Sequence, residues 1–307
     1  MKGIGATVRR VVLPLLASGL LAGCIMPVAE GVKSEALSGL APAPLPRHRV
    51  GDRRRLDNGR WEEVIAVDGD TVTWRTSGGT RYRTGRNFIL PELEREGRRY
   101  RVTNLSDVAE DLLWPLQQGN SGRFASRRSS LDKRSGQRKS SSRDFHCEVD
   151  GSWRLDLAAG TFSTYRVVCE RSNRMGQFRQ RRYWYYAPEL EQVVLQVTES
   201  PGRPIRRREL LAFHPSLEHL GEAQRRAFDE RFQWAMEHQP AGSTLWLPQA
   251  GRHRQVGITP LRTMKLKDGH YCRSYRILVG DAGGDRVGAG IVCRGGQGRW
   301  RVPGRNS

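Results

Sequence analysis

The chain has 307 residues, with 52 Lys and Arg against 32 Asp and Glu, so its formal net charge is +20. Its length allows one large domain or two ordinary ones, and its hydrophobic content of 37% is enough for real cores. No apolar run reaches the roughly 18 residues of a transmembrane helix, which excludes a helical membrane bundle. The positive charge favours a polyanionic partner, although only six of the basic residues are Lys, so a genome that favours Arg would give the same charge.

The first 24 residues have the form of an export signal: basic residues, a short apolar stretch over 11–22, and small residues at the end. The tetrapeptide Leu21-Ala22-Gly23-Cys24 resembles the lipobox of bacterial lipoproteins. That resemblance implies that residues 1–23 are removed as a signal peptide and that acyl chains such as palmitate are attached at Cys24. Ile25, by resemblance to sorting rules, favours the outer membrane. The alternative is an ordinary signal peptide beside an unrelated cysteine.

Residues 24–49 are rich in Ala, Pro, Gly and Ser, which predicts a flexible tether. From residue 50 to residue 213, short runs of β-branched and aromatic residues alternate with Asn-Gly, Asp-Gly and Gly-Gly turn signals. These runs predict an antiparallel β-domain. Residues 126–143 consist of Ser, Arg, Lys and Gly with almost no apolar content, so we expect a disordered insertion there.

The four cysteines after Cys24 fall into two pairs, 22 and 21 residues apart. If the hairpin in the second pair is centred between positions 282 and 283, Cys272 lies directly opposite Cys293, at a distance that suits a disulfide. Extending the hairpin around 158–160 brings Cys147 near Cys169. Free thiols are the alternative, and the spacing does not suit a zinc site.

The segment Tyr183-Trp184-Tyr185-Tyr186 is the most aromatic of the chain. On a strand, Tyr183 and Tyr185 point to one side, and Trp184 and Tyr186 to the other. One side is a candidate aromatic binding surface for a sugar or peptide. The alternative is a strand that is buried on both sides.

The chain changes character at residue 214. Apolar residues at helical spacing predict a helix within 214–238, with Ser216 as its cap, and short strands follow. We therefore expect residues 214–303 to form a second, smaller unit with one helix packed on an antiparallel sheet. The predicted fold class is mainly β, α+β.

The second unit also resembles the rickettsial seventeen-kilodalton surface antigen family. The resemblance is carried by Trp246, by the Gly-Ile-Thr-Pro of 257–260, by the Tyr-Cys-Arg-Ser-Tyr of 271–275, by the Cys-Arg of 293–294 and by Trp300. The resemblance implies an outer-membrane lipoprotein with no established catalytic residue.

No pattern in the sequence indicates catalysis. The seven His residues form no zinc-binding pair, and neither a nucleophile elbow nor a phosphate-binding loop occurs. We therefore expect no enzyme, no cofactor and no metal. An exported enzyme acting on cell-wall or lipid polymers is the alternative.

These patterns together predict a lipid-anchored outer-membrane protein, facing the periplasm or the cell surface, with a structural or binding role. Its expected partners are the membrane, through Cys24, and anionic envelope polymers such as lipopolysaccharide or peptidoglycan. We do not expect nucleic acid, because export separates the protein from it. The ligand and the oligomeric state stay open.

Overall fold

The computed structural model describes residues 32–247, 255–265, 269–280 and 284–304. These residues form eighteen antiparallel strands and one helix. The first nine strands are β1 (Lys33–Leu37), β2 (Arg53–Leu56), β3 (Trp61–Asp68), β4 (Thr71–Thr76), β5 (Arg81–Thr84), β6 (Glu94–Glu96), β7 (Tyr100–Ser106), β8 (Ser121–Asp132) and β9 (Arg138–Leu157). They are followed by β10 (Gly160–Ser172), β11 (Phe178–Ala187), β12 (Gln192–Ser200), β13 (Arg203–His214), helix α1 (Glu222–His238), β14 (Leu245–Trp246), β15 (Val256–Lys265), β16 (Tyr271–Val279), β17 (Arg286–Arg294) and β18 (Trp300–Arg301). The predicted fold class is confirmed.

Strands β2 to β13 pair in chain order, and β13 pairs back onto β2, which closes a barrel of 12 strands. Its interior is filled at one side by an apolar cluster that includes Leu116, Tyr165, Val167, Trp184 and Tyr186. Every ladder amide in a closed ring finds a partner, so the ring leaves no open sheet edge. The remaining interior volume forms the site described below.

The C-terminal sheet consists of β14 to β18, with α1 packed on it. It joins the barrel where Ala212 and Phe213 of β13 pair with Gly290 and Ala289 of β17. A β-carbon on Gly290 would lie 2.9 Å from the Ala212 Cβ, and one on Gly288 would lie 2.7 Å from the Phe213 carbonyl oxygen. Glycine is therefore needed at both positions for the strands to approach. The predicted unit boundary between 213 and 214 stays a prediction, since β13 pairs with both parts.

A buried ion pair reinforces this junction. Both carboxylate oxygens of Asp52, which precedes β2, accept hydrogen bonds from the Arg286 guanidinium of β17, at 2.6 and 2.9 Å. Asp52 also accepts a bond from the backbone amide of Ser216, and both charged side chains are almost fully buried. The barrel and the C-terminal sheet thus share one desolvated charge pair.

Two predicted irregular segments are ordered. The prediction of disorder over 126–143 is wrong, because these residues form the outer part of the β8–β9 hairpin, with Ser126 opposite Arg143 and Leu131 opposite Arg138. The backbone ladder holds this hairpin, so it does not depend on apolar side chains.

The flexible tether predicted over 24–49 is also wrong for its described part. Strand β1 pairs with β9, and the Tyr165 hydroxyl donates to the carbonyl oxygens of Leu40 and Ala41, at 2.7 and 2.9 Å. The Pro-rich chain supplies carbonyl acceptors that the barrel uses, so it lies on the barrel wall.

Helix α1 begins later than predicted. Gly221 is its N-cap, and the Ser216 hydroxyl instead accepts from the Glu218 amide within the preceding turn. The helix buries Phe228, Phe232, Ala235 and Met236 against the C-terminal sheet. Within the described ranges, no helix combines the length and apolar character needed to cross a membrane.

Both predicted disulfides are confirmed. Cys147 bonds to Cys169 across β9 and β10, and Cys272 bonds to Cys293 across β16 and β17. In each case the two cysteines occupy opposed positions of an antiparallel pair. Residues 281–283, on which the hairpin for Cys272 was centred, lie outside the described residues.

Candidate anion-binding site

A cavity of about 300 Å³ lies inside the barrel, between the walls formed by β2–β6 and by β11–β13. Its lining is polar and strongly basic. It includes the arginines Arg54, Arg86, Arg95, Arg182, Arg206 and Arg208, the carboxylates Glu62 and Glu92, the neutral polar side chains Thr84, Asn87, Gln196 and Thr198, and the aromatic residues His48, Trp74, Tyr82, Phe88 and Trp184.

Strand register explains why residues distant in sequence meet on one wall. Arg182 lies opposite Thr198, and Thr198 lies opposite Arg206, so these three form one row across β11, β12 and β13. Trp184 and Gln196 form the neighbouring row, which ends at Arg208. Directly opposed residues of antiparallel strands share a face, so both rows point into the cavity.

Arg182 is the central cation of this wall. Its guanidinium lies 5.2 Å from the centre of the Trp184 ring and donates one hydrogen bond to the Gln180 amide oxygen, at 3.2 Å. Its Nε is buried without a hydrogen-bond partner. Burial first, and then the charges of Arg171 and Arg208, together lower the pKa of Arg182 to about 10, against a small opposing effect of Glu92. The folded protein therefore holds this cation at a cost in free energy.

Arg206 and Arg208 are exposed at the edge of the same wall. In the described ranges, neither they nor Arg182 form an ion pair with a carboxylate. By contrast Arg207, whose side chain lies on the other face of β13, pairs with Glu209 at 2.5 Å. Positive charge without a counterion thus collects on the cavity face.

On the opposite wall of the cavity, Arg54 and Arg95 are each paired with a glutamate. Arg54 donates to Glu62 at 2.8 Å and to the Tyr82 hydroxyl at 3.2 Å, and its guanidinium covers Trp74 at 4.2 Å. Arg95 binds both oxygens of Glu92, at 2.7 and 2.5 Å.

The same contacts fix the charge of Glu62. Burial alone would raise the pKa of the Glu62 carboxyl, but the Arg54 charge and the hydrogen bonds from Tyr82 and Arg54 hold it below its ordinary value. Glu62 is therefore a stable anion.

His48 contributes a neutral imidazole to the lining. Burial lowers its pKa to about 3, and the charges of Arg54, Arg286 and Arg86 act in the same direction. The ring meets Trp74 edge to face at 5.2 Å, and its buried Nδ1 has no partner among the described residues. The side chains of His48 and Arg182 thus both line the cavity, and each has one buried nitrogen without a hydrogen-bond partner in the described part of the chain.

The candidate aromatic surface is wrong as an exposed platform. Tyr183 and Tyr185 belong to one apolar cluster and Trp184 and Tyr186 to another, and all four are buried. The strand is covered on both sides, because each face of β11 packs in one of these two clusters. Only Trp184 reaches the cavity, where it supports Arg182.

Arg206 and Arg208 were not predicted from the sequence as residues of a site. Alternation along a strand was the available signal, because it places Arg206 and Arg208 on one face and Arg207 on the other. The lipidation site predicted at Cys24 lies outside the described residues. No group of three or more His, Cys, Asp or Glu side chains that could hold a metal occurs in the ranges the structure describes.

The motif residues of the C-terminal sheet build its packing. Arg273 donates to the carbonyl oxygens of Met236 and Gln239, at 2.8 and 3.0 Å, and so caps the C-terminus of α1. The backbone N–H of Trp300 donates to the side-chain oxygen of Gln233, and the side-chain NH₂ of Gln233 donates to the Trp300 carbonyl oxygen. The Trp300 indole donates to Glu237 at 2.8 Å. These contacts dock the helix on the sheet.

Comparison with known proteins agrees with this part of the chain. Residues 234–301 match the 17 kDa outer membrane surface antigen family. The resemblance predicted from the motif residues is thereby confirmed. The 17 kDa surface antigen of Rickettsia prowazekii (strain Madrid E) is 36% identical over 83 residues, which cover 26% of this chain and 51% of the antigen. The chain therefore spans about half the length of this relative.

A solved structure aligns over a larger share of the chain. The hypothetical lipoprotein YmcC from Escherichia coli (K12) aligns with a TM-score of 0.38 and 11% sequence identity, over 58% of this chain and 90% of that protein.

Proposed function

We propose that this chain is a non-catalytic, lipid-anchored protein of the cell envelope whose barrel binds an oxyanion in the arginine-lined cavity. The observation that carries the binding role is the wall formed by Arg182, Arg206 and Arg208, three guanidiniums without a carboxylate partner in the described ranges. A guanidinium offers several N–H donors in a plane, which suits carboxylate and phosphate groups.

The cost of the site supports the same proposal. A half-buried cation without a counterion destabilises the fold, and Arg182 also leaves its Nε without a partner. An anion in the cavity would neutralise the wall. Destabilising arrangements of this kind are typical of functional sites.

The geometry favours binding over chemistry. Both carboxylates of the cavity are paired with arginines, Glu62 with Arg54 and Glu92 with Arg95, so neither is free to act on a ligand. The low pKa of His48 leaves its imidazole a weak base. The cavity carboxylates and His48 therefore do not support the alternative function, an exported enzyme.

The envelope location is supported by the C-terminal sheet, which is similar to a surface antigen family. The two disulfides fit an oxidising compartment. In this proposal Cys24 carries the lipid, and the barrel and sheet are held at the outer membrane.

Binding is tested by titrating the purified chain, without its signal peptide, with glucuronate and separately with inorganic phosphate in a calorimeter. We expect Arg182→Gln to weaken binding of the preferred anion by about tenfold or more, the equivalent of one charged contact. The matched control is Arg181→Gln, one position along β11, whose side chain pairs with Glu170 on the other face. Equal binding by all three proteins, or no binding of either anion to wild type, would contradict the proposed function.

The anchor is tested separately in cells grown with labelled palmitate. We expect label on the wild-type chain and recovery in the outer-membrane fraction, with both lost in Cys24→Ser. Label that survives this substitution would contradict anchoring through Cys24 and would leave the cavity result untouched.

A further inference from the structure

A line of arginines leads from the cavity towards the tip of the β8–β9 hairpin. Arg182 on β11 lies opposite Cys169 on β10, and Arg171 follows Cys169 by two residues. Arg171 lies opposite Phe145 on β9, and Arg143 lies two residues further along that strand. Opposed residues and residues two apart share a face, so these side chains follow the inner face of the barrel.

The line continues on β8. Arg143 lies opposite Ser126, and Arg128 follows Ser126 by two residues. Each step crosses one strand and advances two residues, which separates successive backbone positions by roughly 8 Å. We call Arg182, Arg171, Arg143 and Arg128 the arginine track.

The track carries positive charge without counterions. Its four arginines are half-buried, and in the described ranges none forms an ion pair with a carboxylate. Burial first, and then the charges of Arg171 and Arg128, together lower the pKa of Arg143 to about 10. The pKa of Arg171 is lowered by burial and by Arg128 as well. These cations repel one another, so an extended anion would relieve several of them at once.

Neutral hydrogen-bonding side chains separate the charges. Thr198 lies opposite Arg182, Gln180 opposite Arg171, Ser126 opposite Arg143 and Ser141 opposite Arg128. Of these four, Ser141 is exposed and the other three are buried, so a ligand that matches this face is defined by its spaced negative charges.

The aromatic rings on this face already pack against other side chains of the protein. Phe124 and Phe145 stack on each other, with ring centres 4.6 Å apart, and Arg182 covers Trp184. Tyr100, which shares the face of Arg128, is exposed but covered by the Arg99 guanidinium at 5.0 Å. Single-stranded nucleic acid is bound by stacking bases on free aromatic rings, so these covered rings do not favour it. The spacing of the charges, together with the occupied aromatic rings, favours an acidic glycan.

We propose that the cavity and the arginine track together bind a linear acidic polysaccharide, in which carboxylated sugars alternate with neutral ones. The cavity holds one acidic sugar, and the track holds the chain that leaves it. This inference rests on the proposed oxyanion site and adds that the ligand is a polymer.

The test compares two ligands of the same chemistry on the wild-type chain: glucuronate, and a hyaluronan octasaccharide in which glucuronate alternates with a neutral sugar. At equal ionic strength we expect the octasaccharide to bind at least about tenfold more tightly per molecule. Equal affinity for the two would overturn the polymer inference, while glucuronate binding that depends on Arg182 would still uphold the proposed function.

A double variant, Arg128→Gln with Arg143→Gln, locates the added affinity. We expect it to lose the advantage of the octasaccharide and to keep wild-type affinity for glucuronate. Arg127→Gln, which faces the other side of β8, is the control and should bind both ligands as wild type does. A twelve-nucleotide oligothymidylate that binds more tightly than the octasaccharide at the same salt concentration would also overturn the inference.

Discussion

The barrel and the C-terminal sheet use their arginines in opposite ways. In the C-terminal sheet, Arg273 caps a helix and Arg286 joins a buried ion pair, so each charge has a structural partner. In the barrel, Arg54 and Arg95 are paired with carboxylates, but Arg182, Arg171 and Arg143 face the interior without an ion pair among the described residues. Similar residues thus stabilise one region and destabilise the other, and the destabilised region is where a ligand is expected.

The largest effect should come from Asp52, which ties the two regions together. Asp52→Ala leaves the buried Arg286 charge without its partner, and we expect unfolding to become easier by about 3–5 kcal/mol. Denaturant unfolding measures this. Glu63→Ala removes the exposed pair with Arg75 on the neighbouring strands and should cost less than about 1 kcal/mol. Similar losses for both would show that burial of the junction does not matter.

Removing a disulfide should have the next largest effect, and it should be alike in the two regions. The bonds close loops of 22 and 21 residues, so each double Cys→Ser variant is expected to lose about 3 kcal/mol of unfolding free energy. Thermal unfolding with and without reductant measures it. A variant that unfolds like wild type under oxidising conditions would contradict a stabilising bond in that region.

Acid should destabilise both regions through one histidine each. The folded pKa is lowered to about 3 for His48, by burial and nearby arginines, and to about 4 for His214, by burial and Arg53. Because the unfolded state takes up protons first, stability is full above about pH 6.5 and falls as the pH decreases towards the folded pKa.

The slope is at most about 1.4 kcal/mol per pH unit for each histidine, so between pH 6.5 and 5 we expect each histidine to cost on the order of 2 kcal/mol of unfolding free energy. Unfolding curves at several pH values measure the slope, which His48→Asn and His214→Gln should each reduce. A profile that these substitutions leave unchanged would contradict the assignment.

The smallest expected effect is a gain in the free energy of unfolding, where the preceding substitutions cause a loss. Arg182→Met replaces a half-buried cation by an apolar side chain that can still pack on Trp184, and we expect the ligand-free chain to gain about 1 kcal/mol. Urea unfolding of the two proteins measures the difference. A loss of stability of similar size would make Arg182 a structural residue.

Local patterns predicted the parts of the fold that depend on near neighbours. The turn signals and opposed positions placed Cys272 against Cys293, and the motif residues identified the C-terminal sheet. Composition failed over 126–143, because backbone pairing with β7 orders a polar hairpin there. The wall of Arg182 and Arg206 depends on the register of three strands, which no local pattern contains.

The most direct test of the central claim is a crystal structure of the chain soaked in selenate, whose tetrahedral oxyanion can be located by anomalous scattering. We predict a selenium peak inside the barrel, within hydrogen-bond reach of Arg182 and beside Arg206. A cavity that holds only water, with selenate bound solely at outward-facing arginines such as Arg127, would contradict the account.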